Sequence, residues 1–421
     1  MSTSRRVFLK SGGLALAGIG LAGALPGVMQ SVALAAPPVA RAGARPKTLV
    51  VVFQRGAVDG LNLLVPHGDS GYYRARSSIA VPRPGQADGA LDLDGRFGLH
   101  PALAPLLPLW KAQRMAAVHA AGSPDNTRSH FDAQDYMESG TPGLKSTRDG
   151  WLNRLLQAQA GTSPFAAVAM TAQTPRMLAG PAPTIAMTSL ARFAVQAGAY
   201  TAPIEGGFEQ LWQRADAGDL GQAGHETFEA VQFLQNSGAA RRRPDNGAVY
   251  PPGEFGNALR QLAQLVKADV GLRLGFAESG GWDTHVNQGG ASGQLANRLR
   301  EFGAGIAAFL TDLGSQRDEV LLVTMSEFGR TVHENGSRGT DHGHGNAMLL
   351  FGGAVDGGKI HGRWPGLDPA QLYEGRDLAV ATDFRSVLGE VAHKHLRATN
   401  TAALFPGFAY SPANFVGALR A

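Results

Sequence analysis

Val320-Leu321-Leu322-Val323-Thr324-Met325 is an apolar, largely β-branched run that stops at a polar stretch, Ser326-Glu327-Phe328-Gly329-Arg330-Thr331. A continuous apolar run with no polar alternation reads as a strand buried on both faces, as in a parallel sheet covered by helices. The pattern recurs at Thr48-Leu49-Val50-Val51-Val52-Phe53, which runs into Gln54-Arg55-Gly56-Ala57-Val58-Asp59-Gly60, and at Met115 to Ala120, which runs into the loop Gly122 to Arg128. Shorter strand candidates are Phe165 to Met170, Ala182 to Met187, Leu272 to Phe276 and Met348 to Phe351. Helical stretches lie between them. Phe255 to Val270 carries Leu259, Leu262, Leu265 and Val266 on one face, and Leu295 to Leu313 is likewise amphipathic. Further helices are expected at His100 to Gln113, His130 to Met137, Trp151 to Ala158, and near Asp383 to His395. Residues 205–245 read as helical and polar, ending in a solvated Arg241-Arg242-Arg243. Strands alternating with helices predict an α/β fold, a doubly wound and mostly parallel sheet with helices on both faces.

Such sheets collect ligands outside the carboxyl ends of their strands, and the polar clusters of this sequence sit there. Asp283 and His285, after the Leu272 strand, are two apart; in extended chain they point to the same side, roughly 6–7 Å apart, and converge on one metal ion or water. The plain alternative is a turn-capping aspartate beside an ordinary histidine. Thr340-Asp341-His342-Gly343-His344-Gly345-Asn346 holds three potential ligands within four residues, Asp341, His342 and His344, spaced by glycines. The chain has no cysteine, so any metal site is built from oxygen and nitrogen. That favours zinc, manganese or iron, and calcium or magnesium if carboxylates dominate. Glu327 either completes a metal shell or pairs with Arg330. Asp59 holds the equivalent place after the first strand, as a ligand or as a turn aspartate beside glycine, and Arg55 next to it is suited to clamp an anion. Thr127-Arg128-Ser129-His130 lies at a strand-to-helix junction, where Ser129 reads as an N-cap with Asp132 three residues on. A hydroxyl there sits where the helix dipole and free N–H groups welcome an anion. Ser129, or less readily Thr127, is therefore the candidate nucleophile and Arg128 a candidate anion holder. Glu278-Ser279-Gly280 lacks the preceding glycine of a nucleophile elbow, which argues against a serine-hydrolase triad.

The N-terminus carries a different message. Ser4-Arg5-Arg6-Val7-Phe8-Leu9-Lys10 has paired arginines before a small, uncharged apolar run, Gly12 to Val28, and Ala33-Leu34-Ala35 supplies a small-x-small cleavage pattern. Residues 1–35 are read as a twin-arginine signal peptide, 36–46 as a loose Ala/Pro/Arg linker, and 47–421 as one elaborated α/β domain. The apolar core is Gly- and Ala-rich and broken by Pro26, which favours cleavage over a stable membrane anchor. Three of the 38 basic residues belong to the signal, leaving 35 against 34 acidic ones, so the mature chain has no basic footprint for nucleic acid. The expected partners are the twin-arginine translocation machinery and an anionic small-molecule or polymer substrate. The expected location is periplasmic, or secreted.

Five stretches occur in order: Phe53 to Asn62, Arg128 to Gln134, Gly281-Trp282-Asp283-Thr284-His285, Ser326 to Thr331 and Gly339-Thr340-Asp341-His342-Gly343. Together they resemble a twin-arginine-exported bacterial family known as domain of unknown function 1501, itself similar to the alkaline phosphatase and sulfatase superfamily. That resemblance implies a doubly wound sheet, a metal site at the strand ends and hydrolysis of phosphate or sulfate esters. It aligns Asp59 with the superfamily's first metal-binding aspartate and Ser129 with its hydroxyl nucleophile. Asp283 and His285 match an aspartate–histidine pair of wider spacing. Glu327 stands where an aspartate precedes a histidine, which is Phe328 here, and His342 or His344 supplies an imidazole. The implied cofactor is a divalent ion, zinc, manganese or calcium. The rival reading is a non-enzymatic envelope protein that uses the same cleft for binding.

Overall fold

The computed structural model describes residues 47–158, 163–193, 230–399 and 401–420. Residues 1–46, where a signal peptide and linker are expected, and most of the polar 205–245 stretch lie outside the described residues. Twelve strands are present among those described: β1 Thr48–Gln54, β2 Leu64–Val65, β3 Leu91–Asp92, β4 Gly98–Leu99, β5 Met115–Gly122, β6 Ala167–Ala169, β7 Ile185–Ala186, β8 Leu274–Ser279, β9 Val320–Met325, β10 Asn346–Gly352, β11 Lys359–His361 and β12 Thr382–Asp383. Nine form one sheet in the order β11-β5-β10-β9-β1-β8-β6-β7, with β12 also on β5. The helices that position the site or cover the sheet are α1 His130–Ser139, α2 Trp151–Gln157, α3 Glu254–Ala268, α4 Gln294–Leu313 and α5 Phe384–Glu390.

β1 lies at the centre, parallel to β8 on one side and β9 on the other. All seven of its residues are buried, and their alternation divides the core. Val50 and Val52 pack with Leu259 and Leu262 of α3 and with Phe302 and Ile306 of α4. Leu49, Val51 and Phe53 pack on the other face with Trp151 and Leu155 of α2 and with Phe384 and Leu388 of α5. Each such side chain contributes about 1.5–3 kcal/mol by leaving water, which is why both faces of the strand are apolar. The layered, mostly parallel α/β architecture expected from the sequence is the architecture observed.

One strand is reversed. β10 runs antiparallel to both β5 and β9. The chain thus leaves the carboxyl end of β9, crosses the top of the sheet and re-enters it at the same edge. This explains why the polar Thr340 to Asn346 stretch precedes a strand when the other clusters follow one: all of them lie over a single edge.

Departures from the expected elements have simple causes. His100 to Gln113 is a 3-10 run, Pro101–Leu106, followed by one α-helical turn, Leu107–Lys111, because Pro105 and Pro108 lack the N–H groups a continuous helix needs. A small antiparallel sheet, β2-β4-β3, falls where no element was expected, since two-residue strands carry no readable period.

Two histidines tie the layers together. The His119 Nε2–H donates to the Leu64 carbonyl at 3.0 Å, and the His395 Nε2–H donates to that of Thr48 at 2.9 Å. Burial pushes each imidazole down to about 4. Both are neutral in the fold, whereas the unfolded chain takes up their protons near the ordinary value of about 6.5. Their contribution is therefore complete above that pH and is lost as pH falls toward about 4. At about 1.4 kcal/mol per unit of difference for each ring, urea titrations should show several kcal/mol of stability disappearing across this window. His119→Gln should reduce the slope; an unchanged slope would contradict the assignment.

Candidate metal centre

The site is built from five loops over the carboxyl edge, and a buried cation draws four of them together. Arg330, after β9, is almost fully buried. Its Nε donates to the Ala57 carbonyl at 2.7 Å and its Nη1 to Thr340 at 3.0 Å. Its Nη2 reaches the carbonyls of Gly56 at 2.5 Å and Trp282 at 3.1 Å, and Asp283 Oδ1 at 2.5 Å. The loops following β1 and β8 and the loop preceding β10 are thus fastened to the loop after β9. Close approach of the backbones demands glycine at two places. A Cβ on Gly339 would lie 2.2 Å from the His285 carbonyl oxygen, and one on Gly343 2.4 Å from the Arg330 carbonyl carbon. The glycines spaced through the His342 loop serve this packing of chain on chain.

Three histidines then turn inward, each held by its Nδ1. His130, the first residue of α1, directs Nδ1 to Glu327 Oε1 at 2.8 Å. His285 directs Nδ1 to Asp341 Oδ1 at 2.9 Å, and His342 directs Nδ1 to the Arg128 carbonyl at 2.8 Å. A carboxylate or a carbonyl only accepts, so in the neutral form of each ring a proton on Nδ1 makes this bond and leaves Nε2 its lone pair. Those Nε2 atoms converge on Asp283. His285 Nε2 is 3.0 Å and His342 Nε2 is 3.2 Å from Asp283 Oδ1, the two nitrogens are 2.9 Å apart, and His130 Nε2 is 3.5 Å from Asp283 Oδ2. His130 Nε2 is buried without a hydrogen-bond partner.

With the rings neutral, these nitrogens and the Asp283 carboxylate form a set of donors that one cation would bridge. A tetrahedral shell with Zn–N bonds of about 2.0–2.1 Å has edges of about 3.3 Å, and the observed separations of 2.9–3.5 Å bracket that value. The ligand atoms of His130, Asp283 and His342 all lie within 4.8 Å of one another, as a metal-binding triad requires, and His285 Nε2 lies beside two of them, 2.9 Å from His342 Nε2 and 3.0 Å from Asp283 Oδ1. Nitrogen-rich ligands with one carboxylate suit zinc, or a neighbouring first-row ion, better than calcium.

The surroundings set the charge of these groups. Burial pushes the Glu327 carboxyl up, but hydrogen bonds from His130, Gln134 and the Gly56 N–H outweigh it and hold the group below its usual range. The Glu327 hydrogen bond in turn raises His130 against its own partial burial. Burial likewise opposes ionisation of Asp283, and the Arg330 guanidinium more than compensates. Burial lowers His342, which favours its neutral, ligating form. Phe328 is packed against the rings of His130 and His342, centroids 5.0 Å from each, so it buttresses two donors where the resemblance would place a third.

The structure therefore brings Asp283, His285 and His342 together and sets Glu327 and Asp341 behind them as acceptors for imidazole N–H groups. Asp59 is not in the cluster: it caps the turn Gly60–Leu63 and pairs with buried Arg76 at 2.6 Å. Nor is His344, whose Nε2 donates to the Ser123 carbonyl at 2.9 Å and whose ring packs on Tyr373. Ser129 caps α1, accepting from the Asp132 N–H at 3.5 Å. Arg128 pairs with Asp377 and Glu374, and Arg55 with Glu138 and Glu278. His130 was missed as a donor in the sequence, where it read as the residue after an N-cap. Its signal was there, a histidine opening a helix at a strand end, with Gln134 one turn on to share Glu327.

A family model described as a protein of unknown function (DUF1501) matches residues 110–405. Among solved structures, the chain is similar to the C-terminal periplasmic domain of EcEptC from Escherichia coli in complex with Zn, at 12% identity over 74% of each chain with a TM-score of 0.35. It is also similar to a protein in the alkaline phosphatase superfamily from Vibrio parahaemolyticus, at 11% identity over 85% of this chain and 71% of that one, TM-score 0.34. The lipoteichoic acid synthase LtaP from Listeria monocytogenes is 9% identical over 77% and 69%, TM-score 0.30. No curated protein matches the sequence.

Removing a carboxylate that orients a metal-bound imidazole typically weakens binding 10–100-fold. Glu327→Ala should lower Zn²⁺ affinity by that factor in competition with a chromophoric chelator, and His342→Ala should lower it further. Full affinity in His342→Ala would remove that ring from the centre.

Proposed function

We propose that this chain, which belongs to the DUF1501 family, is an exported metal-dependent hydrolase of phosphate or sulfate esters. The observation that carries the reading is the convergence of proton-free imidazole nitrogens on Asp283 at an open strand edge, where the donor side chains remain partly exposed to an arriving ligand. When bound, a divalent ion supplies Lewis-acid polarisation of the ester and lowers the pKa of a nearby hydroxyl.

The chain's own residues have distinct tasks. His130, His342 and Asp283 hold the ion, His285 stands beside Asp283 and His342, and Arg330 balances the charge of Asp283. Ser129, adjoining His130 at the N-terminus of a ten-residue helix, supplies the attacking hydroxyl. Its oxygen forms a bond to phosphorus or sulfur as the ester oxygen departs, and water then cleaves the new bond to restore the serine and release the acid. Arg128 and Arg55 are suited to take the anionic oxygens. Each holds one exposed carboxylate partner, Glu374 and Glu278, and exposed ion pairs are weak enough to be exchanged for a substrate. Export follows from the twin-arginine reading of residues 1–35. No helix of the described residues is long and apolar enough to cross a membrane.

A second reading, a non-enzymatic envelope protein binding an anion or partner in the same cleft, is favoured by one observation. Arg55, Arg128 and Arg330 all already have carboxylate partners.

Purified protein loaded with Zn²⁺ or Mn²⁺ should hydrolyse aryl phosphates or aryl sulfates and lose that activity on chelation. Ser129→Ala should lower kcat by at least about 100-fold and still bind the metal. Metal-loaded protein without turnover on either ester class would favour the binding reading.

A further inference from the structure

A second cation beside the first would need donors of its own, and the acidic and imidazole groups nearby answer the question one by one. Glu327 is shut off from solvent: Oε1 accepts from His130, Gln134 and the Gly56 N–H, and Oε2 lies 3.0 Å from Ser326 Oγ, whose one proton is shared with the Gln54 carbonyl at 2.5 Å. Asp341 Oδ1 is taken by His285 and by Asn335 at 3.0 Å. Asp59 is buried as deeply as Glu327, and its counter-ion is internal. Arg76 Nη1 donates to Asp59 Oδ2 at 2.6 Å, with both side chains shut off from solvent. The other donors of this guanidinium are equally committed, to Asn62 Oδ1 at 2.7 Å and to the carbonyls of Val332 and Thr331 at 2.9 Å each.

Asp59 has another partner that explains its placement. Gln288 Nε2 donates to Asp59 Oδ2 at 2.7 Å. The Gln288 Oε1 accepts from the Thr284 hydroxyl at 2.8 Å and from the Thr340 hydroxyl at 2.7 Å. Thr284 lies between Asp283 and His285, and Thr340 immediately precedes Asp341 and His342. The buried chain Arg76–Asp59–Gln288 therefore ends on the two loops that deliver Asp283 and His342, two of the three donors.

We infer that the centre binds one divalent cation per chain, because the Arg76 guanidinium holds the Asp59 carboxylate as a built-in counter-ion, and that Asp59 and Gln288 are positioning residues which set the spacing of the Asp283 and His342 loops. The inference rests on the metal-binding part of the proposed function and is independent of any turnover. Arg76 fills its role without exchange: all the acceptors it meets are buried. Gln288 transmits position through its amide, donating on one side and accepting twice on the other.

The test is a count. Chelator-stripped wild-type protein is titrated with Zn²⁺ and with Mn²⁺, and bound metal is measured by native mass spectrometry and by elemental analysis after dialysis. One ion per chain at saturation is expected. Two would overturn the inference while leaving the hydrolase reading intact, and none would overturn both. Asp59→Asn should still bind one ion, since its carboxylate is not a donor; a drop from two ions to one between wild type and this variant would identify Asp59 as a ligand. Gln288→Leu should likewise bind one Co²⁺ per chain, with affinity reduced about tenfold and the visible absorption spectrum altered. A Gln288→Leu protein whose spectrum and affinity match wild type would overturn the positioning role.

Discussion

A guanidinium removed from water must find an acceptor for nearly every N–H it carries, and Arg330 meets that demand with five oxygens from three other segments of chain. The loops after β1 and β8 and before β10 are drawn onto it because its donors, in one plane, point at all three. Four of its five acceptors are main-chain carbonyls, so the side chain fixes backbone rather than merely another side chain. The fifth is Asp283, where fixing the loops and setting the charge of the centre become the same act. With its Oδ1 engaged by Arg330, Asp283 stays ionised at a place where burial alone would favour the acid form.

The three imidazoles show how neighbouring acidic groups define a centre without joining it. Glu327 and Asp341 were candidate ligands from sequence, and each faces the remote nitrogen of a ring instead of the cluster. The arrangement fixes which nitrogen is protonated, orients the ring and increases the basicity of the atom that faces inward. It also limits charge repulsion: two carboxylates added directly to Asp283 would crowd three negative groups around a single point, whereas behind the rings they are spread over a larger volume.

Much of the architecture was legible because strands buried on both faces leave continuous apolar runs; β1, β5 and β9 were each readable from one window. The reversal of β10 was not, since a fully buried strand looks the same in either direction. Asp283, His285, Asp341 and His342 stood out as polar groups packed among glycines after or before such runs. The division of labour among them was hidden, because whether Asp341 binds a cation or supports His285 depends on which atom lies opposite across a loop 56 residues away in sequence. His130 was obscured by its neighbour, Ser129, whose capping role explained the helix start and left no reason to look one residue further. Asp59 illustrates the converse. Its position after β1 suggested a ligand, and Arg76, in a stretch with no readable period, supplies the internal cation that makes it a strut.

The turn of chain from β9 to β10 starts and finishes on one side of the sheet, so Glu327, Arg330, Asp341 and His342 travel together on a single excursion. Most of its backbone is pinned against neighbours, yet space is open where a side chain on Gly336 would project. Asn335, next to it, is by contrast tied to the His285 carbonyl and to Asp341 Oδ1. The excursion is thus tight where it serves the site and roomy at a single point of its turn, where a larger residue would meet no neighbour.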